Sequence, residues 1–327
     1  MYKKFFGLTK NPFEISPDPY FFYGSAQHNE ALANIFYGIR AHKGFVVVTG
    51  EVGTGKTLLV RCLLDSLDRN QVAFSYVFNT RLNEEEFLRY IMQDLNLAVP
   101  NTKGEMLLQL NDYLIGRYRK GLTTVLIVDE AQNLSWEVLE EIRLLTNLET
   151  TKDKLLQIVL IGQPELDEKL ESYNVRQLKQ RIALRCKLNP LTELETRDYI
   201  VRRLQRAGAK NNAWSMFPDA VIKKVHQYSS GIPRLINTVC ENSLIVAYAK
   251  QSASVTTEMV EEVAKDLRLN QPVRPPIKSK MNGDEQESKL LKRLVNLLHA
   301  LEKVDENPGL AEEDTEIGRS KVTGGVR

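Results

Sequence analysis

The run Gly50-Glu51-Val52-Gly53-Thr54-Gly55-Lys56-Thr57 constrains this chain more than any other feature. It meets the phosphate-loop spacing G-x-x-x-x-G-K-[ST] at every required position. An apolar, β-branched run, Phe45 to Thr49, precedes it, and a helix-like run, Leu58 to Leu64, follows. A strand that feeds a glycine turn into a helix N-terminus aims several backbone N–H groups at one anion. Gly50, Gly53 and Gly55 let the backbone wrap phosphates without a Cβ clash. Nucleotide contacts are therefore expected from Gly50, Glu51, Val52, Gly53, Thr54, Gly55, Lys56, Thr57 and Leu58. Lys56 is expected at the β- and γ-phosphates of ATP, and the Thr57 hydroxyl at Mg²⁺.

A second half of the site follows downstream. Thr124 to Val128 reads as a buried strand, ended by Asp129-Glu130. Asp129 is expected to hold the Mg²⁺ shell and Glu130 to orient the attacking water. Phosphoryl transfer needs mainly positioning and charge neutralisation, so this carboxylate pair completes a hydrolytic kit. Taken alone, the pair reads equally well as a solvated strand end. The glutamate argues for hydrolysis, where an aspartate alone fits a kinase or a simple binder equally well.

The 327 residues allow one large or two modest domains. A formal charge of +2 gives no global field toward nucleic acid or acidic lipid. No run approaches the roughly 18 uncharged apolar residues of a membrane span, and Asn11, Pro12 and Glu14 interrupt any signal-peptide core. A cytoplasmic location is expected, at most peripheral at the inner membrane through a partner. Cys62, Cys186 and Cys240 read as buried free thiols, and the four histidines show no ligand spacing.

Residues 1–25 are aromatic and proline-rich and read as an extended arm without regular helix or strand. Ser25 is expected to cap the next helix. Strands are predicted at 45–49, 73–78, 124–129, 156–161 and 184–188. Helices are predicted near 56–68, 83–96, 104–119, 135–148 and 164–172. This alternation implies a parallel sheet covered on both faces, an α/β fold spanning 26–190. The 73–78 strand falls between the loop strand and the Asp129 strand in sequence, which suggests the branch of such proteins with an inserted central strand. From 191 to 268 helical periodicity takes over, at about 192–208, 218–229, 233–250 and 256–268, and reads as a small helical lid. Residues 269–285 read as a polar, proline-stiffened linker. Leu290, Leu294, Leu297, Leu301 and Val304 give a short amphipathic tail helix over 286–304. Residues 305–327 read as disordered.

An α/β nucleotide core followed by a helical lid is the layout of the AAA+ class of P-loop NTPases. The span from about 2 to 268 resembles the ExeA/GspA-type secretion ATPases (general secretion pathway protein A-like), including short relatives found beside pilus, exopolysaccharide and exosortase-linked export systems. The resemblance is carried by Phe6-Gly7-Leu8, Asn11-Pro12-Phe13, Pro17 to Ser25, His28-x-Glu30-Ala31-Leu32, Tyr37-Gly38-Ile39, Asp129 to Leu134, Ile161 to Leu166 and Gly231 to Asn237. It implies that the arm, around Phe13 and Tyr20 to Tyr23, packs near the adenine. It implies that Gln163 is a γ-phosphate sensor and that Arg234 is a second sensor closing the lid on ATP. It points to Arg181 as an arginine finger acting in trans, with Arg176 and Arg185 as rivals, and so to a homo-oligomer. The longer members carry a membrane span and a peptidoglycan-binding part, and residues 269–327 read as neither. The 286–304 helix is then the coupling element to an inner-membrane or envelope export component. On this reading the chain energises or regulates an envelope secretion or polysaccharide export machine. The alternative is a nucleic-acid ATPase of the initiator, clamp-loader or transposition-helper kind, with Lys179, Arg181, Arg185, Lys187, Arg202, Arg203 and Arg206 lining a channel. A third reading is an ATP-binding scaffold without turnover.

Overall fold

The computed structural model describes residues 2–209 and 213–269. The expected linker, tail helix and disordered tail lie outside the described residues. In chain order the elements are α1 (Tyr2–Phe5), α2 (Ala26–Arg40), β1 (Phe45–Gly50), α3 (Lys56–Ser66), β2 (Val72–Val77), α4 (Glu84–Asp94), α5 (Lys103–Tyr118), β3 (Thr123–Val128) and α6 (Trp136–Leu145). They continue as β4 (Leu156–Gly162), α7 (Pro164–Glu171), α8 (Arg176–Lys179), β5 (Leu184–Leu188), α9 (Glu193–Arg206), α10 (Ala213–Met216), α11 (Asp219–Ser229), α12 (Pro233–Ala249) and α13 (Thr257–Asp266).

The helix starts follow from capping chemistry. Ser25 accepts from the His28 N–H, and Thr192 with Glu195 forms a reciprocal capping box. Asn83 with Glu86 and Thr102 with Glu105 do the same for α4 and α5.

The five strands form one parallel sheet in the order β2-β3-β4-β1-β5. β1 and β4 are buried along their whole length, as continuous apolar runs demand of central parallel strands. β5 lies at an edge and alternates, with Arg185 and Lys187 exposed. The inserted central strand is β4, between β1 and β3. The 73–78 segment, which suggested the insertion from the sequence, forms the opposite edge as β2. Four of its six residues are only half-buried, consistent with that place.

Register aligns the carboxyl ends of the strands. Thr49 lies opposite Gly162, and Val128 opposite Leu160. The phosphate loop, Asp129-Glu130 and Gln163 therefore leave the sheet at one edge, where ligands bind in open parallel sheets.

Two apolar clusters cover the two faces of the sheet, one built on Phe87, Leu110 and Ile142, the other on Ile35, Leu59 and Leu63. A third cluster joins α9, α11, α12 and α13 with the N-terminal arm through Tyr2, Phe6, Phe13 and Phe21. The arm differs from its sequence reading in two ways. Tyr2–Phe5 forms a short helix. Phe13 and Phe21 are also buried in this helical core, Phe13 edge-on to Phe217 at 5.7 Å. They have apolar partners there, so they are not available to a base. Cys240 is buried, but Cys62 and Cys186 are only half-buried; all three are free.

Candidate functional site

The loop closes β1 onto α3 through left-handed glycines. Gly53 has φ +84° and Gly55 φ +99°, a region that penalises any residue with a Cβ. A Cβ on Gly53 would also lie 2.8 Å from the Arg234 Cβ. The loop is tied inward as well. Thr54 Oγ1 donates to the Glu51 carbonyl at 2.7 Å, and the Lys56 ammonium donates to the Gly50 and Glu51 carbonyls at 2.7 and 2.9 Å. Burial pushes the Lys56 ammonium below its ordinary pKa, against the pull of Glu130 and Asp129. A desolvated cation with only carbonyl partners favours an arriving anion.

Asp129 is buried at the end of β3. Its Oδ1 accepts from the Glu130 N–H at 2.9 Å; its Oδ2 accepts from the Thr57 hydroxyl at 3.1 Å and the Tyr76 hydroxyl at 3.2 Å. Burial holds its carboxyl above the usual range despite these bonds. No lysine or arginine among the described residues forms an ion pair with it. A buried carboxylate beside a hydroxyl is a hard-oxygen donor set that suits Mg²⁺, which binds through one or two carboxylates plus phosphates and water. No group of three or more His, Cys, Asp or Glu among the described residues forms a separate metal cluster.

Glu130 has φ 52°, a left-handed conformation rare outside glycine, of the kind that concentrates at functional sites. Its Oε2 accepts from Gln132 Nε2 at 2.7 Å and from Gln163 Nε2 at 3.0 Å. Burial alone would raise its pKa. The two amides and the nearby Lys56 and Arg234 more than reverse this, and the carboxyl sits below its ordinary value. Gln163 thus reaches the site, but its amide is aimed at Glu130.

Lys56, Thr57, Glu130 and Gln163 face a cavity of about 200 Å³. The loop, Glu130 and Gln163 line one side; Tyr199, Arg203, Pro233, Arg234 and Asn237 line the other. Arg234 follows Pro233 into the first turn of α12, and its N–H donates to the Gly53 carbonyl at 3.2 Å. The arm closes a third side with Glu14 to Asp18. Two arginines hold it there. Buried Arg203 donates to the Pro12 and Glu14 carbonyls, and Arg61 of α3 donates to the Pro17 carbonyl. Phe22 and Tyr23 instead line a small apolar recess of about 30 Å³ beside the loop, with His28, Leu58 and Leu191.

Arg181 is not in the cavity. It precedes β5 and donates to Thr146 Oγ1 at 2.8 Å. Of its rivals, Arg176 lies over the Tyr173 ring and Arg185 pairs with Asp167 and Glu171.

Sequence reasoning missed Gln132, Tyr76, His28 and Arg203 as parts of the site. Gln132 lay within the quoted Asp129 to Leu134 run, but nothing in its spacing shows where its amide points. His28 showed no ligand spacing because its partners are the Ser25 hydroxyl at 2.7 Å and the Thr54 carbonyl at 2.9 Å.

A phosphate loop, a strand-end carboxylate pair and a helical layer over one cavity define an AAA-type P-loop site. Residues 39–170 match the family model described as an AAA domain. The chain is 44% identical over 257 residues, 78% of its length, to general secretion pathway protein A of Aeromonas hydrophila. It spans about half of that relative, 46% of its length. Among solved structures it is similar in fold to Cdc6p from Pyrobaculum aerophilum, with a TM-score of 0.57, 17% identity, and coverage of 81% of this chain and 70% of the other. It is also similar to the Aeropyrum pernix ORC2 protein in its ADPNP-ADP complexes, with a TM-score of 0.54, 17% identity, and coverage of 72% and 66%. The chain thus carries an AAA domain over residues 39–170 and is similar to general secretion pathway protein A over 78% of its length. No helix among the described residues is long and apolar enough to cross a membrane.

Proposed function

We propose that this chain is a Mg²⁺-dependent ATPase that acts as an ATP-driven switch in assembling or regulating an envelope secretion or polysaccharide export machine. The observation that carries the ATPase reading is a single cavity lined by Lys56, Thr57, Glu130 and Arg234 of α12, with Asp129 bonded to the Thr57 hydroxyl just behind it.

Lys56 and the loop N–H groups neutralise the phosphates. Thr57 and Asp129 hold Mg²⁺, which supplies further neutralisation of charge. Glu130 orients the attacking water through a carboxylate kept ionised by its surroundings. Arg234, on the lid, meets the phosphates from the side opposite the sheet, so ATP draws core and lid together. Gln163 reports the γ-phosphate through its contact with Glu130. The adenine is assigned to the side of the main cavity at Leu58, which borders the recess of Phe22 and Tyr23; that recess is itself too small for a base. Arg181, outside the cavity of its own chain, acts on a neighbouring copy, which makes a homo-oligomer part of the mechanism.

The machine served is inferred from the likeness to general secretion pathway protein A. The partner is an inner-membrane or envelope export component, reached through residues 286–304. The nucleic-acid reading draws less support, because Lys179 and Arg185 on the basic stretch already pair with Glu171 and Asp167. The test is capture of partners by ATP-locked Glu130→Gln protein in extract of its own cells after nuclease treatment. Envelope or export proteins support the proposal. Replication or transposition proteins, lost on nuclease treatment, overturn it.

A further inference from the structure

The side chain of Gln132 is fixed at both ends. Its Nε2 donates to Glu130 Oε2 at 2.7 Å, and its Oε1 accepts the Gln163 backbone N–H at 3.0 Å. Flipping the amide would set oxygen against oxygen at one end and N–H against N–H at the other, so hydrogen bonding dictates this orientation. The backbone is anchored too. Lys169 of α7 donates to the Gln132 carbonyl at 3.0 Å and to the Leu134 carbonyl at 2.5 Å. Gln163 adds a second amide to the same Glu130 oxygen at 3.0 Å. Glu130 Oε1 takes no side-chain hydrogen bond among the described residues, and Glu130 lines the cavity. One carboxylate oxygen is saturated by two amides while the other is left for the cavity.

We propose that Gln132 is a positioning residue for hydrolysis, a bracket between the ends of β3 and β4 that holds Glu130 by one oxygen and presents the other to the attacking water. The inference rests on the reading of Glu130 as the water-orienting carboxylate. A bracket of this kind acts on the chemical step and not on nucleotide affinity, because Gln132 is absent from the cavity lining.

The test compares the full chain with Gln132→Glu, Gln132→Met, Glu130→Gln and the double variant Glu130→Gln/Gln132→Met. Gln132→Glu keeps the shape and the acceptor for the Gln163 N–H but replaces the neutral amide donor to Glu130 with a second carboxyl, whereas Gln132→Met removes the donor outright. Steady-state ATP hydrolysis, affinity for a non-hydrolysed ATP analogue and Tm are measured for each. The expected result is a kcat lowered about tenfold or more in both single Gln132 variants, with KM and analogue affinity within about twofold of the parent. The double variant is expected to be no slower than Glu130→Gln alone, because a residue that acts through Glu130 has nothing left to position. Unchanged or faster turnover in Gln132→Glu overturns the bracket; faster turnover would make the contact a restraint. Loss of analogue affinity in step with kcat also overturns it. Wild-type turnover in Glu130→Gln, or none in the parent chain, overturns the underlying reading of Glu130. An inactive Glu130→Gln beside an unaffected Gln132→Glu overturns the bracket alone.

Discussion

Arg61 donates from its guanidinium to the Pro17 carbonyl at 2.7 Å, joining the helix that leaves the phosphate loop to the N-terminal arm. From α9, Arg203 grips the same arm at Pro12 and Glu14. Residues 14–18 are thus held along one side of the cavity by one arginine from α3 and one from α9.

The two arginines are predicted to fail differently. Arg61 is exposed, so its single bond is worth little to folding. Arg61→Ala should weaken ATP binding about three- to tenfold at unchanged Tm. Arg203 is buried, and Arg203→Leu strands the buried Pro12 carbonyl, at a cost of about 1–3 kcal/mol. Its Tm should fall by several degrees. Calorimetric titration and thermal scans check both; equal Tm values for the two variants contradict the assignment.

Lys56→Met separates function from stability. The lysine is desolvated and bonded only to loop carbonyls. Its loss should weaken ATP binding about 100-fold or more while Tm without nucleotide stays within about 3 °C, because relief of desolvation offsets the lost bonds. A large fall in Tm would make the lysine a structural residue instead.

Acid stability carries the mark of two histidines, one buried and one half-buried. Burial lowers the pKa of His28 and of His226, against weaker raising pulls from Glu195 and Glu193 and from the Thr54 carbonyl on His28. The unfolded chain binds protons near pH 6.5 that the fold does not, so stability is full above that pH and falls as pH drops toward the folded values. Asp129 and Glu241, raised by burial, act in the opposite sense at lower pH. The comparison is therefore between proteins: Tm of the parent should fall more between pH 7 and 5.5 than that of His28→Gln/His226→Gln. Parallel curves contradict it.

The finger assignment makes a mixing prediction. Arg181→Ala should retain ATP affinity and lose turnover about 100-fold or more. Lys56→Met should be inactive for want of its own site. Mixed, the two should regain activity, because an intact site meets an intact finger from another chain. Thr146→Val, which removes the acceptor of the Arg181 bond together with the local hydroxyl bond to the Arg143 carbonyl, should stay active. Failure of the mixture to exceed its components counts against action in trans.

Much of the architecture was legible because it is written locally. The β-branched run before Gly50 reads as a buried strand wherever it sits in a sheet, and Thr192 with Glu195 marks a helix start without any tertiary partner. Lys56 and Asp129 could be named for the same reason, since each follows a strand with fixed spacing. What was not legible depends on distant partners. That β4 and not β2 separates β1 from β3 is a matter of sheet order, which strand composition does not encode. Phe13 and Phe21 look alike whether they meet a base or a helical core, and only α9 to α13 decide it. The amide of Gln132 gains its meaning from Gln163, 31 residues on, brought beside it by the register of β3 with β4.

The central claim is that Glu130 converts an ATP-binding cavity into a hydrolase. The most direct measurement is single-turnover hydrolysis of ATP by the parent chain and by Glu130→Gln, with Mg²⁺ present and ATP affinity measured in parallel. The account predicts turnover by the parent, and in Glu130→Gln an ATP affinity within about threefold of the parent with hydrolysis slowed about 100-fold or more. Equal rates in the two proteins, or loss of ATP binding in Glu130→Gln, would contradict it.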